Sequence, residues 1–274
     1  MTTRIYGVGG NAIPLGGLRV EQNVTFRCNA ICTWCNKGVG LVKFPASESD
    51  MTVEQTKRAV DQLIEQKVKV FRWTFCGGEP VLNSDLQGMI DEVARLKTLR
   101  IGRVLTNDMP VTKVMRDRIE LPRRFRWVPN PLDDPNDPFS GKNNPKGRFR
   151  GRVHKPFWIS PADIGMRAEF KNCTVRGWCG IGLDSSGWSM CGKATMLGKL
   201  LGIDPTMKEG NIEQHVDTPI EGICKHCQYG LESKAQERQI FNRYKDGEFP
   251  DISQTFKMAF ACHESQPLIQ IGAY

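Results

Sequence analysis

The chain has 274 residues, 39% of them apolar and 25% charged, with ten cysteines and a formal net charge of +8. That is enough chain to bury a full core, and no run approaches the roughly 18 apolar residues of a membrane-spanning helix. The first residues lack the apolar core of a secretory signal, so a cytoplasmic protein is expected; in a reducing compartment ten cysteines point to metal or catalytic work rather than to disulfides.

Residues 1–17 read as an irregular lead-in, whose Gly7-Val-Gly9-Gly10 follows no strand and so does not make a dinucleotide loop. A strand is expected from 18 to 26, running into Cys28. Ser49 or Asp50 can cap a helix over 52–66 that presents Val53, Val60, Leu63 and Ile64 on one face. An apolar, aromatic strand over 68–75 leads into Cys76-Gly77-Gly78-Glu79-Pro80, and a helix over 85–96 follows through Leu86, Met89, Ile90 and Val93. A strand over 101–105 ends at Thr106-Asn107, the segment 111–119 is helical, and short strands are expected at 125–128 and 157–159. Strands alternating with helices imply a parallel sheet that collects its ligands at the strand C-terminal ends. Cys28, the segment 77–80 and Asn107 all fall at those ends.

A basic loop is expected over 129–155, rich in Pro, Asn and Gly, with no acidic residue between Asp137 and Asp163. Together with Arg123, Arg124 and Arg126 it can meet a polyanion, or it can be a solvated loop. The cysteines resume beyond residue 163. A second domain stabilised by metal is therefore expected over 164–274, after a first over 18–163, with a helix over 231–244. Cys179 to Cys191 reads as a hairpin turning at 184–187, and Cys224-Lys-His-Cys227 is a tight metal knuckle. Cys173, Cys179, Cys191, Cys224 and Cys227 supply five thiols for one site of four ligands, which either zinc or an iron–sulfur cluster would accept. The four histidines, His154, His215, His226 and His263, are scattered and read as surface or packing residues.

Cys28, Cys32 and Cys35 can wrap one loop around a 4Fe–4S cube. A cube needs four ligands, so three thiolates leave one iron open; a structural zinc site would want a fourth donor, and no Cys or His follows nearby. The run Cys28-Asn-Ala-Ile-Cys32-Thr-Trp34-Cys35 resembles the defining motif of the radical S-adenosylmethionine (SAM) superfamily. Gly77-Gly78-Glu79-Pro80 resembles that family's glycine-rich segment, and Leu105-Thr106-Asn107 its ribose-contacting segment. The resemblance spans about residues 18–160 and implies an open, truncated partial (β/α) barrel. It also implies a cluster whose open iron binds the methionyl part of SAM. Trp34, Gly77, Gly78, Glu79 and Asn107 would contact SAM, with Glu79 facing its ammonium. Cys76 reads as a small buried side chain rather than a ligand.

The later cysteines resemble a twitch domain, the short form of the SPASM domain, as in dehydrogenases of the 2-deoxy-scyllo-inosamine type. That resemblance implies an auxiliary 4Fe–4S cluster on Cys173, Cys191, Cys224 and Cys227, with Cys179 as the alternative to Cys173. The implied activity is that of a radical SAM enzyme, an oxidoreductase or isomerase that cleaves SAM to a 5′-deoxyadenosyl radical and takes hydrogen from its substrate. It would draw electrons from a flavodoxin or ferredoxin. The basic charge points to an anionic substrate, a nucleotide or nucleic-acid base that is modified or rearranged. The alternatives are dehydrogenation of a small polar metabolite with the auxiliary cluster as electron acceptor, and peptide maturation. No side chain is singled out as a catalytic acid, base or nucleophile.

Overall fold

A computed structural model describes residues 7–8, 11–12, 16–29, 37, 50–129, 158–173, 179–207, 212, 220–248 and 253–264. Six strands form one open sheet: β1 (Leu18–Thr25), β2 (Val70–Gly77), β3 (Ile101–Thr106), β4 (Phe125–Pro129), β5 (Ile181–Asp184) and β6 (Gly187–Ser189), in the order β4-β3-β2-β1-β5-β6. All neighbours are parallel except the β5–β6 hairpin. The hairpin turns at Asp184, whose Oδ1 accepts from the Ser186 amide at 2.8 Å. It was assigned from sequence to a second unit beyond residue 163, yet β5 pairs with β1 through Val20↔Ile181 and Gln22↔Leu183 and so extends the same sheet.

Alternation gives the sheet two unlike faces. Val20, Val24, Trp73, Phe75, Val104, Ile181 and Leu183 form the main core with the helices on one side. Burying each such side chain contributes roughly 1.5–3 kcal/mol. Gln22 lies among them without an unmet polar group: its amide donates to Thr56 Oγ1 at 2.8 Å and accepts from Trp73 Nε1 at 2.8 Å. The other face carries Arg19, Glu21, Asn23 and Thr25 on β1, and Arg72, Thr74 and Cys76 on β2.

Helix α1 (Val53–Glu65) starts at Thr52, not at Ser49 or Asp50, because Thr52 and Gln55 form a capping box. Its buried face is Thr56, Ala59, Val60 and Leu63, and Ile64, expected on that face, is 46% exposed. Asp50 instead pairs with Arg27. Helices α2 (Leu86–Ala94) and α3 (Pro110–Arg116) follow β2 and β3, and α2 buries Leu86, Met89, Ile90 and Val93.

The strand expected at 157–159 does not form at its described positions. Trp158 and Ile159 run instead into a single 3₁₀ turn at Pro161–Ile164, and the Ser160 amide that would enter a ladder donates to Ser253 Oγ at 3.0 Å. Beyond it lie α4 (Ala194–Leu201), the single turn α5 (Glu221–Cys224), α6 (Lys234–Lys245) and α7 (Gln254–Glu264). A smaller core joins Trp158, Met196, Leu197, Leu200, Ile223 and Phe256 with Phe26 from the end of β1. No helix among the described residues is long and apolar enough to cross a membrane.

Candidate active site

At the C-terminal ends of β1–β3, three of the segments singled out by sequence meet. The chain leaving β1 runs against the end of β2: the Gly78 amide donates to Thr25 O at 2.7 Å and the Glu79 amide to Arg27 O at 2.8 Å. Gly77 has φ +130°, and a Cβ there would overlap the Thr25 carbonyl oxygen; one on Gly78 would overlap that of Arg27 and lie 3.1 Å from Cys28 Cβ. The glycines were expected to admit a ligand. In the structure they admit the backbone that carries Cys28, which is half-buried beside them. Arg27 is fixed in turn by Asp50 and donates to Leu82 O at 2.5 Å.

Glu79 is 1% exposed, and its carboxylate accepts from the Asn107 amide at 2.7 Å and from the Val81 amide at 3.5 Å. Burial raises its pKa above the usual carboxylate value, against the lowering pull of the Asn107 amide. Asn107 donates from Nδ2 to Asn29 Oδ1 at 2.7 Å and accepts from Thr112 Oγ1 at 3.0 Å. Glu79, Asn107 and Asn29 thus tie together the ends of three adjacent strands. Cys32, Trp34 and Cys35 lie outside the described residues.

A second cysteine group surrounds a cavity beside the sheet. Cys173, Cys191, Cys224 and Cys227 all line it, with Phe170 and Met190 among its apolar walls. Cys173 follows the 3₁₀ turn Phe170–Asn172, Cys191 follows β6, and Cys224 and Cys227 flank a turn closed by Cys227 N–H to Cys224 O at 3.1 Å. The Ala194 amide donates to Cys191 Sγ at 3.3 Å. Burial, then the neighbouring Cys173, pushes the Cys191 thiol up to about 12; the same causes raise Cys227. Among the described residues no three His, Cys, Asp or Glu side chains converge tightly enough to hold a single ion. Cys179 lies elsewhere: its thiol is raised by burial and by Glu21, and Lys193 and Lys37 are its other charged neighbours. Of the two alternatives, Cys173 is the one that the fold brings to the cavity.

The polar face of the sheet holds a cluster that the sequence reading missed. Lys37 Nζ donates to Glu21 Oε1 at 2.8 Å, Asn23 Oδ1 at 2.7 Å and Gly192 O at 3.2 Å, all of it buried. Burial opposes ionisation of Glu21, but Lys37 and then Lys193 hold its carboxyl down at about 2. Cys76 donates weakly to Gln22 O at 3.3 Å, and burial pushes it up to about 12, a neutral thiol as expected of a small packed side chain. The signal was present in β1, where Arg19, Glu21, Asn23 and Thr25 repeat with period two.

The basic run divides on inspection. Arg124 donates to the carbonyls of Ala94, Leu96 and Leu99 at 2.9–3.2 Å and so caps the end of α2, while Arg126 stands on the polar face of the sheet. The rest of the basic loop, Lys142 to Lys155, lies outside the described residues. His226 is a packing residue, with Nδ1 2.8 Å from Ser160 Oγ and its ring against Phe256.

An open α/β sheet with its distinctive loops at the carboxyl ends of parallel strands defines a class of protein that binds cofactors and substrates at those ends. Residues 23–154 match the model of the Radical SAM superfamily, so the chain carries a radical SAM domain. Members of that superfamily are enzymes, and they use a 4Fe–4S cluster and SAM. Over 95 residues the chain is 28% identical to a GTP 3′,8-cyclase of Peptoclostridium acidaminophilum, covering 35% of this chain and 28% of that protein. Over 97 residues it is 28% identical to molybdenum cofactor biosynthesis protein 1 of Dictyostelium discoideum, covering 35% of this chain and 15% of that one. The matches thus span less than a third of these curated relatives. Among solved structures, SuiB of Streptococcus suis bound to S-adenosylmethionine is 16% identical over 42% of this chain and 25% of that one, with a TM-score of 0.34. BtrN in complex with AdoMet and 2-DOIA is 20% identical over 39% of this chain and 43% of that one, with a TM-score of 0.30.

Proposed function

We propose that this chain is a radical SAM enzyme acting on a nucleotide, with one 4Fe–4S cluster on Cys28, Cys32 and Cys35 and an auxiliary cluster on Cys173, Cys191, Cys224 and Cys227. The reading rests on the meeting of three motifs from three strands, in which the Cys28 backbone is seated on Gly77 and Gly78 and bridged through Asn29 and Asn107 to Glu79. Cys28, Cys32 and Cys35 would hold the first cluster, which when reduced would supply one electron to the sulfonium of SAM, giving methionine and a 5′-deoxyadenosyl radical able to take a hydrogen atom from substrate.

The chain's own residues prepare that site. Gly78 lets β1 and β2 approach closely enough to hold the start of the cysteine loop. Glu79 and Asn107 fix the relative positions of the strand ends against which SAM would lie. On the wall beneath, Cys76 is a neutral thiol and Glu21 is paired with Lys37.

For the auxiliary cluster, four thiols around a cavity suit a cube better than a zinc ion. Zinc would draw its sulfurs to about 2.3 Å from one point. The nucleotide reading draws on the likeness to a protein named for acting on GTP and on the basic polar face of the sheet. A flavodoxin or ferredoxin is the fitting electron donor.

Anaerobic reconstitution with iron and sulfide, followed by iron counting and a SAM-cleavage assay, tests the reading. We expect about eight irons per chain and release of 5′-deoxyadenosine. No cleavage by a protein that retains its iron would refute it; about four irons plus one zinc would refute the auxiliary cluster alone.

A further inference from the structure

Lys193 sits where the cavity of the later cysteines meets the polar face of the sheet. It is 3% exposed and lines that cavity together with Cys173, Cys191, Cys224 and Cys227. Its charge also reaches β1, where Lys37 and then Lys193 keep Glu21 ionised against the effect of burial. The same charge is felt by the Cys76 and Cys179 thiols, which burial raises. Glu21 gives Oε1 to Lys37 at 2.8 Å and turns Oε2 toward the Lys193 turn, where a Cβ on Gly192 would lie 2.5 Å from it.

A buried ammonium is costly unless negative charge lies close to it. Glu21 is one such charge. Four thiolates outweigh the positive charge of an iron–sulfur core, so a cluster in the cavity would be another. Phe170, Met190, Leu197 and Ile223 give that cavity apolar walls, and a charge acts more strongly there than across water. The backbone of the turn works in the same sense. The Ala194 amide donates to Cys191 Sγ at 3.3 Å, and the Lys193 amide also donates to it. Hydrogen bonds to sulfur and nearby positive charge both favour the reduced form of an iron–sulfur cluster and raise its potential.

We propose that Lys193 sets the reduction potential of the auxiliary cluster, making that cluster an electron-exchanging centre turned toward the polar face of the sheet rather than a staple. The proposal rests on the auxiliary-cluster reading above and deepens it. Reduction adds one electron to the cluster, breaks no bond and moves no proton; the negative charge gained lies beside the buried ammonium. Glu21 works in the opposite sense, because its carboxylate offsets part of the Lys193 charge. The two side chains therefore bear on the cavity with opposite signs.

The test is a redox titration of the anaerobically reconstituted full chain with dithionite, followed by electron paramagnetic resonance. Cys28, Cys32 and Cys35 are all changed to Ala, so that the auxiliary cluster alone gives the signal. Lys193→Met and Lys193→Gln should each lower the midpoint potential by about 59 mV, a ten-fold change in the ratio of reduced to oxidised cluster. Glu21→Gln should raise it, and Lys57→Gln, exposed on α1, should leave it as it is. Shifts of opposite sign mark a charge effect, whereas mere loosening would move all the variants one way and shed iron. Where the Lys193 variants hold no iron, the sign of the Glu21→Gln shift decides. About four irons with an unchanged potential in both Lys193 variants, or a fall in potential with Glu21→Gln, overturns the proposal and leaves the auxiliary cluster standing. Absence of iron and signal before any of these changes overturns the auxiliary cluster itself and the proposal with it.

Discussion

Glu21→Gln removes the charge that keeps Lys37 buried, and the structure sets the size of the effect. The carboxyl sits at about 2 against an ordinary 4.5: burial works against its ionisation, and Lys37 and Lys193 more than offset that. At 1.36 kcal/mol per unit the difference corresponds to about 3 kcal/mol of stability, on the scale of 3–5 kcal/mol for breaking a buried pair. A depressed carboxyl contributes that stability fully above its unfolded value of 4.5 and loses it as pH falls toward 2. At pH 7, urea unfolding of the reconstituted protein should show Glu21→Gln destabilised by about 3 kcal/mol. Lys37→Met combined with it should be destabilised by clearly less than the sum of the two single changes. Lys37 stands two residues beyond Cys35 in the sequence and is itself held to β1 by the pair, so Glu21→Gln should also lose iron faster on gel filtration. A Glu21→Gln protein as stable as the parent, or strictly additive single and double variants, would refute this account of the pair.

Gly78→Ala forces a methyl into the Arg27 carbonyl, which no rotamer relieves, and should cost more than about 2 kcal/mol and abolish SAM cleavage; normal melting and cleavage would disprove the close-approach role. Alanine at Cys173, Cys191, Cys224 or Cys227 should lower iron from about eight to about four per chain, while Cys179→Ala keeps the full complement; equal losses at Cys179 and Cys173 would reverse the assignment. Arg124→Ala should lower stability by about 1–2 kcal/mol in urea unfolding, through three carbonyls at the end of α2; an unchanged midpoint would refute the capping role.

Much of the sheet was legible because β1 sets Leu18, Val20 and Val24 among alternating polar residues and β2 and β3 run into glycine and asparagine, and the bounds of β1–β4 move by only a residue or two. The rest depends on contacts distant in sequence. Val20 pairs with Ile181, and no spacing rule announces that a cysteine hairpin will extend the sheet rather than found a second one. Helix α4 was missed because six of its eight residues, all but Lys199 and Leu201, are buried, which erases the period of 3.6 that marks an amphipathic helix. Trp158 and Ile159 have strand composition, but Pro161 and the Ser253 hydroxyl draw the chain into a turn. Arg124 and Arg126 look alike in a basic run, and only strand alternation sends one to a helix end and the other to the polar face.

The hairpin sets the second cysteine group against the polar face of the sheet. The turn after β6 runs Cys191-Gly192-Lys193-Ala194. Cys191 faces the second cavity, Gly192 O accepts from Lys37 at 3.2 Å, and Lys193 lines the cavity while its charge acts on Glu21. Gly192 must be glycine for a steric reason: a Cβ there would lie 2.5 Å from Glu21 Oε2. One turn therefore touches the cavity, the buried Glu21–Lys37 pair and the polar face of the sheet. Parallel pairing of β5 with β1 is what sets that turn beside Glu21, so joining the hairpin to the sheet is itself part of building the site.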